Sequence, residues 1–350
     1  MRIKSSSVPG KGLFERAERC RRTSQYSKAV GLYEEALKAF KRESDIAGVL
    51  DCYLSVADTL RASGDFVDAL AYYDKALGLA EVLEDTSSVA DALSGQGLSI
   101  RALGRWKDAL RLINRARRIY RSNGDRGGEA FSVWAKGGTY RIKGDISRAI
   151  DTFSLALKQF RILKNRAGIN YSYCGLGGCS RVAGKYLDSR RYYRMANRNF
   201  GEMNDIFGIA YSYCGLGNVQ RMLGNYSDAL SFFKLAEVQY RKIGDKVSYA
   251  YTLWSIGTTY KMLGRIGKAE EKFLDAERLF NDTKDPRGQI YSMLGKGELD
   301  YLSGRKYRAK KAFLRGERLA ARYGFKVEKG YASRLLRMYH SGQGIPANLP

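Results

Sequence analysis

The sequence has few of the residues on which catalysis and metal binding depend. It contains one histidine, His340, close to the C-terminus, so a Ser-His-Asp or Cys-His centre has no plausible base. A phosphate-binding loop of the form Gly-x-x-x-x-Gly-Lys-Ser/Thr is absent. The cysteines do not form pairs at the spacing of metal ligands. We therefore expect no catalytic residue, no cofactor and no metal site, and we do not expect an enzyme.

The sequence also lacks the features of a secreted or membrane-spanning chain. Its cysteines are odd in number, which suits a reducing compartment; they are Cys20, Cys52, Cys174, Cys179 and Cys214. Residues 1–12 are polar and basic, without the apolar stretch of a secretory signal, and no segment approaches the ~18 apolar residues that a membrane span needs. The cytoplasm is the expected location.

Acidic residues are scarce relative to basic ones. Sixty-one Lys and Arg stand against 36 Asp and Glu, a net charge of +25, which exceeds what solubility requires and predicts an acidic partner. Residues 305–337 hold twelve Lys or Arg and two Glu, and residues 101–121 hold eight Lys or Arg and one Asp. Both runs carry apolar residues at helical spacing, so each is either a solvated helix face or a surface for nucleic acid or anionic membrane.

Proline is rare, with four in the chain, and a repeat of 40 residues runs through almost the whole sequence. Glycine recurs at positions 64, 104, 144, 184, 224, 264 and 304. A small residue follows five positions after each glycine, at Ala69, Ala109, Ala149, Ser189, Ala229, Ala269 and Ala309. No gap is needed to align the units. Such self-similarity is typical of units that bury their apolar faces by stacking, so we expect one elongated domain.

Each unit predicts two antiparallel helices, as the stretch 206–245 shows. Asp205 can cap the first helix, and Gly224 can end it with the left-handed backbone of a tight turn. Asn225 can then cap the second helix, which Gly244 ends. The predicted fold is an all-α, right-handed superhelical solenoid.

The units divide the chain into a solenoid between two short tails. Residues 12–341 form eight helix pairs and a capping helix at 326–341, which covers the last apolar face. We expect flexible tails at 1–11, which is basic, and at 342–350, where Gly and Pro break the helix.

The repeat resembles the tetratricopeptide repeat family. The residues that match its Leu-Gly, Ala, aromatic and Ala positions are Leu216, Gly217, Ala229, Phe233 and Ala236, and Tyr213 stands at its Trp position. That family has a unit of about 34 residues that ends in Pro, so this chain departs by a longer unit and by lacking that proline. In unit length and in Leu216-Gly217-Asn218 it is similar to the Leu-Gly-Asn repeat adaptors of cell polarity. The resemblance implies a scaffold whose concave groove holds an extended peptide.

Two columns of residues are expected to face this groove from the first helices, at helical offsets of three and four. One column is basic in seven consecutive units: Arg21, Arg61, Arg101, Arg141, Arg181, Arg221 and Lys261. The other is aromatic from Phe131 onward, with Tyr171, Tyr211, Tyr251 and Tyr291. Trp134, Asn218 and Trp254 share this face, and the absence of a side chain at Gly138 and Gly178 predicts hollows beside Trp134. The partner-binding residues we predict are Arg101, Phe131, Trp134, Arg141, Tyr171, Arg181, Tyr211, Asn218, Arg221, Tyr251, Trp254, Lys261 and Tyr291.

Each column also has a purely structural interpretation. A cation in the last turn of a helix is favoured by the helix dipole, and a tyrosine column at helical spacing can be packing. Three functions are therefore compared. The first is a non-enzymatic adaptor that holds an acidic, extended or helical segment of a partner protein. The second is a nucleic-acid-binding solenoid that uses the basic runs, and the third is a sensor that closes on a small peptide.

Overall fold

The computed structural model describes residues 9–349, and within that range it contains seventeen helices and no strand. The all-α solenoid prediction is confirmed. The helices are α1 Gly10–Arg22, α2 Tyr26–Glu43, α3 Ile46–Ser63, α4 Phe66–Val82, α5 Thr86–Ala102, α6 Trp106–Ser122, α7 Arg126–Lys143, α8 Ile146–Ile162, α9 Arg166–Val182, α10 Tyr186–Met203, α11 Ile206–Met222, α12 Tyr226–Ile243, α13 Lys246–Met262, α14 Ile266–Asp282, α15 Pro286–Leu302, α16 Lys306–Tyr323 and α17 Lys326–Ser341.

From the second unit onward, the first helix of each unit is capped by the side chain of an aspartate, or of Asn165 in the fifth unit. Asp45, Asp125 and Asp205 each accept a hydrogen bond from the backbone N–H three residues later, at 2.9, 2.9 and 2.8 Å. These bonds satisfy amides that have no partner within the helix.

The second helices do not follow this rule, and the predicted cap at Asn225 is wrong. Its side chain makes no cap bond, and in the turn the Tyr226 N–H donates to the carbonyl of Gly224 at 3.0 Å. Gly224 has φ of +83°, a conformation that glycine adopts without strain.

Glycine allows the first helices to approach aromatic rings on both sides. A Cβ added at Gly217 would lie 2.6 Å from the Phe233 ring of its own unit, and one at Gly215 would lie 2.2 Å from the Tyr193 ring of the unit before. Any side chain at these positions would overlap an aromatic ring. The spacing of small and aromatic residues therefore fixes how closely each first helix packs between two second helices.

Units far apart in sequence also touch. The Lys246 ammonium contacts Asp65 at 2.9 Å, across 181 residues, and the Trp106 indole N–H donates to the carbonyl of Tyr323 at 2.9 Å. The turn at Gly144 likewise lies against Val327. Successive turns of the superhelix are thus in contact along a line that we call the seam. The solenoid is more compact than the elongated domain expected from sequence, and its concave surface is the wall of a channel.

The final helix covers the last unit. Glu328 of α17 is fully buried and accepts hydrogen bonds from Arg287 Nε and the Tyr291 hydroxyl, both at 2.6 Å. Ala332 and Leu335 of the same helix are buried against the final helix pair. The acidic and apolar residues of α17 together close the open end of the stack.

The tail predictions need correction. Helix α1 begins at Gly10, after Pro9, so the solenoid starts inside the predicted tail 1–11; residues 1–8 lie outside the described part of the chain. At the other end, Ala347 and Leu349 are each only 3% exposed. The prediction of a flexible C-terminal tail is wrong for residues 345–349, whereas residues 342–344 are exposed. Glycine and proline excluded a helix there, but the segment finds partners inside the channel.

Candidate binding channel

The channel is lined by the first helices of the units, and its cations project from their last turns. The unbroken period of 40 residues places Arg101, Arg141, Arg181, Arg221 and Lys261 at equivalent positions of α5, α7, α9, α11 and α13. These cations nevertheless have different surroundings, which divide the column into parts.

At the start of the column, an acidic residue three positions earlier pairs with each cation. Arg21 contacts Glu18 at 2.8 Å, and Arg61 contacts Asp58 at 3.0 Å. Residues three apart lie on the same helix face, so each carboxylate holds its arginine on its own helix. These two cations are therefore neutralised within the chain.

The glycines predicted to leave hollows are covered by arginine instead. A Cβ at Gly138 would lie 2.6 Å from Arg101 Nη1, which also donates to the carbonyl of Ala135 at 3.2 Å. A Cβ at Gly178 would lie 3.5 Å from Arg141 Nη1. An extended arginine side chain reaches the next first helix, so the hollow prediction is wrong.

Arg141 and Arg181 have no hydrogen bond and no ion pair anywhere in residues 9–349. Both side chains are half-buried, and the Nε of each is enclosed without an acceptor. Crowding of cations is evident one unit earlier, where burial and the charges of Arg141 and Arg61 lower the pKa of Arg101 to about 10. This part of the channel holds positive charge without counter-charge, the arrangement that an anionic ligand would satisfy.

Further along, the C-terminal segment supplies the partners. Arg221 is fully buried; it donates to Asn218 Oδ1 at 3.1 Å and to Asn348 Oδ1, and the Asn348 amide donates back to the Arg221 carbonyl at 2.8 Å. Lys261 Nζ contacts Glu298 at 2.5 Å and the Ala347 carbonyl at 3.0 Å. These cations are occupied, unlike Arg141 and Arg181.

Aromatic residues form a continuous strip beside the unpaired arginines. Phe131 stacks on Trp134, Trp134 meets Tyr171 edge-on, and Phe207 lies between Tyr171 and Tyr211, with ring centroids 5.7 to 6.3 Å apart. All five side chains are half-buried. We call this set the aromatic strip; Phe207 was not foreseen, because its position in other units is not aromatic.

Other predicted aromatics serve the fold. Trp254 is 7% exposed and donates to the Tyr291 carbonyl at 3.1 Å, and Tyr291 is 5% exposed. The prediction that these two line an open groove is wrong. Tyr251 donates to the capping aspartate of the next unit, Asp285, at 2.8 Å, so its hydroxyl links two units. A position that faces the channel can also meet the next first helix, and large rings fill that space.

Glu298 and Asn348 were missed by sequence reasoning, and one of them carried a signal. Glu298 stands in the same column as Asn218, Asp58 and Glu18, all of which pair with a cation. Reading that column beside the basic one would have separated paired from unpaired arginines. Asn348 lies outside the repeat and had no such signal.

Comparison of the sequence with models of known protein families gives matches over most of the chain. Profiles described as tetratricopeptide repeat match residues 14–81, 88–162 and 208–282, which is more than half of the chain. The chain belongs to the tetratricopeptide repeat family. A search of curated proteins finds no match to the sequence of this tetratricopeptide repeat protein.

Solved structures share the fold at low sequence identity. The Rap conjugation gene regulator of plasmid pLS20 with the Phr* peptide has a TM-score of 0.64 at 16% identity, covering 89% of this chain and 96% of its own. A Rap protein with competence and sporulation factor gives 0.60 at 13%, covering 95% and 98%. NprR with its cognate peptide NprX gives 0.59 at 17%, covering 97% and 99%. At these identities the likeness shows the fold of the tetratricopeptide repeat solenoid.

No helix among residues 9–349 is long and apolar enough to cross a membrane. The same part of the chain contains no cluster of three His, Cys, Asp or Glu that could hold a metal ion.

Proposed function

We propose that this tetratricopeptide repeat protein is a scaffold that binds an extended acidic segment of a partner protein in its channel. The observation that carries the proposal is the pair of guanidinium groups of Arg141 and Arg181, which are half-buried and lack any partner within residues 9–349. Enclosed charge without a partner is costly. A carboxylate in the channel would form charge-assisted hydrogen bonds with these guanidinium groups, each contributing about 1.5–3 kcal/mol and offsetting this cost.

The spacing of the two arginines defines the ligand more closely. Neighbouring first helices lie ~10 Å apart, and an extended chain advances about 3.3 Å per residue. The two rungs therefore match Asp or Glu residues about three positions apart. Between them, an apolar or aromatic side chain would lie on the aromatic strip. Because the cations further along are occupied, the ligand is shorter than the whole column would suggest.

The structural neighbours support a peptide as the ligand. Three proteins of the same fold were solved with a bound peptide or signalling factor, as their descriptions state. Peptide sensing, with a change of shape on binding, is a second candidate function. The seam favours it, because a ligand that alters the pitch of the superhelix would break or tighten contacts such as Lys246 with Asp65.

The experiment is a selection of random peptides displayed on phage against three forms of the full chain. We expect the natural chain to enrich peptides with Asp or Glu three positions apart, and the Arg181→Glu variant to lose this enrichment. Arg318→Glu makes the same charge change at an exposed position on α16 and should keep it. Equal enrichment by all three proteins would overturn the proposal.

Salt dependence separates the remaining alternative, nucleic acid. Each neutralised phosphate contributes roughly −0.7 to −0.9 to the slope of log K against log salt concentration. A slope steeper than about −4 for unrelated nucleic-acid sequences, made shallower by about one in Arg318→Glu and unchanged in Arg181→Glu, would favour the outer basic faces over the channel.

A further inference from the structure

The C-terminal segment lies in the channel as a bound peptide would. Residues 342–344 follow α17 and are exposed, and residues 345–349 lie in the part of the channel lined by α11, α13 and α15. There Ala347 and Leu349 join the hydrophobic cluster of the last unit, which includes Leu294 and Leu335. The segment therefore has both apolar and polar contacts with the channel wall.

The backbone of one residue is held at both of its polar groups. The Ala347 N–H donates to Glu298 Oε1 at 2.6 Å, and its carbonyl accepts from Lys261 Nζ at 3.0 Å. Lys261 and Glu298 also pair with each other, and both side chains are 2% exposed. Hydrogen bonds to an extended main chain provide affinity that does not depend on sequence.

The side chain of the next residue provides selectivity. Asn348 accepts from the Arg221 guanidinium and donates to the Arg221 carbonyl. A carboxamide is both donor and acceptor, whereas an ionised aspartate only accepts. Aspartate would place its second oxygen against the carbonyl, and leucine would leave the buried guanidinium without this partner. The site therefore distinguishes asparagine from its closest analogues.

We infer that Asn218, Arg221, Lys261 and Glu298 form a peptide subsite that reads an asparagine after a small residue, and that the chain's own segment 345–349 is its resident ligand. The subsite differs in ligand chemistry from the basic site at Arg141 and Arg181, which is proposed to bind an acidic segment. The segment occupies Arg221 and Lys261, so a partner that extends along the column beyond Arg181 must displace it. Only this last statement rests on the proposed function.

The test uses the full chain with the segment detached by substitutions within it. Ala347→Pro removes the N–H that Glu298 accepts, and Asn348→Ala removes the carboxamide. The probe is a synthetic peptide with the sequence of residues 342–350, titrated by calorimetry. We expect one peptide to bind each molecule of the double variant. Binding to the natural chain should be at least tenfold weaker, because the tethered segment occupies the subsite.

Selectivity is tested with a second peptide in which the asparagine is replaced by aspartate. It should bind the double variant at least tenfold more weakly than the first peptide. Failure of the natural-sequence peptide to bind the double variant, or equal binding of the two peptides, would overturn the inference. Neither result depends on the acidic partner, whose binding at Arg141 and Arg181 is measured separately.

Hydrogen exchange provides a check on the unmodified chain. The Ala347 amide should exchange at least a hundredfold more slowly than in the free peptide, because its bond to Glu298 is buried. Exchange at the rate of the free peptide would show that the segment leaves the channel, and would also overturn the inference.

Discussion

The same column of cations runs through an open half and a closed half of the channel. The two halves differ in whether a side chain of the protein pairs with each cation. In the open half, which contains Arg101, Arg141 and Arg181, the residue three positions before each cation is Leu98, Gly138 or Gly178, which have no side-chain acceptor. In the closed half, Asn218 supplies an acceptor to Arg221, and Glu298 pairs with Lys261. The residue three positions earlier therefore separates the arginines that have a side-chain acceptor on their own helix from those that do not, whereas Lys261 finds its acceptor in the next unit. In a repeat protein, the conserved columns build the wall and the variable column creates the site.

The largest effect is expected from breaking the buried pair of the closed half. Glu298→Ala leaves Lys261 enclosed without a counter-charge, which should lower the free energy of unfolding by about 3–5 kcal/mol. The pair between Lys296 and Glu277, at 2.8 Å, is partly exposed, so Glu277→Ala should cost less than about 1 kcal/mol. Urea unfolding followed by circular dichroism measures both. Similar losses would mean that burial does not distinguish the two pairs.

Arginine to alanine should have opposite effects on stability in the two halves. Arg181→Ala removes an unpaired cation, so the free energy of unfolding should stay the same or rise, while affinity for the selected acidic peptide falls by about 1.5–3 kcal/mol. Arg221→Ala removes the bonds to Asn218 and Asn348, so stability should fall. Calorimetric titration and urea unfolding of both variants give the comparison. Equal stability losses would show that Arg181 has a structural partner after all.

A single substitution can provide an arginine of the open half with the kind of side-chain acceptor found in the closed half. Gly178→Asn places a carboxamide three residues before Arg181, as Asn218 stands before Arg221. The nearest atom to the added Cβ is the Tyr193 hydroxyl at 3.3 Å, so the side chain fits with a small adjustment. Affinity for the acidic peptide should fall by about 0.5–1.5 kcal/mol, because one arginine gains an internal acceptor. Gly178→Ala adds the Cβ without the acceptor and is the matched control.

The smallest effect concerns two tyrosines of the aromatic strip. The Tyr171 hydroxyl donates to the capping aspartate Asp205 at 2.8 Å, whereas that of Tyr211 has no hydrogen bond within residues 9–349. Tyr171→Phe should lower the free energy of unfolding by about 1 kcal/mol, and Tyr211→Phe should leave it unchanged. A loss from Tyr211→Phe would place that residue with the packing tyrosines.

The fold could be predicted from the sequence because the helix boundaries recur every 40 residues, most of them with similar residue types. Capping aspartates, turn glycines and small packing residues are local signals, and they act through neighbouring positions. The basic column was also visible, since it follows from helix periodicity. The basic column did not predict which arginines have a hydrogen-bond partner, because that depends on contacts between units.

The seam and the C-terminal segment were not readable for a different reason. The contact between Asp65 and Lys246 joins residues 181 positions apart, and it depends on small rotations accumulated over several units. The segment 342–349 lies outside the repeat, so no equivalent position elsewhere in the chain reports its surroundings. Trp254 and Tyr291 were wrongly predicted to line an open groove, because neighbouring first helices are close enough to bury large side chains at these positions.

The seam has a consequence for how the chain unfolds. Solenoids whose units touch only their neighbours can lose structure one unit at a time, from either end. Here, fraying of the second unit would break the contact of Asp65 with Lys246 in the seventh unit, and loss of the eighth unit would remove the hydrogen-bond partner of Trp106 in the third. The seam therefore joins the second unit to the seventh and the third unit to the eighth. Unfolding should therefore be all-or-none, and an insertion of a single residue in one unit would put every later contact of the seam out of step.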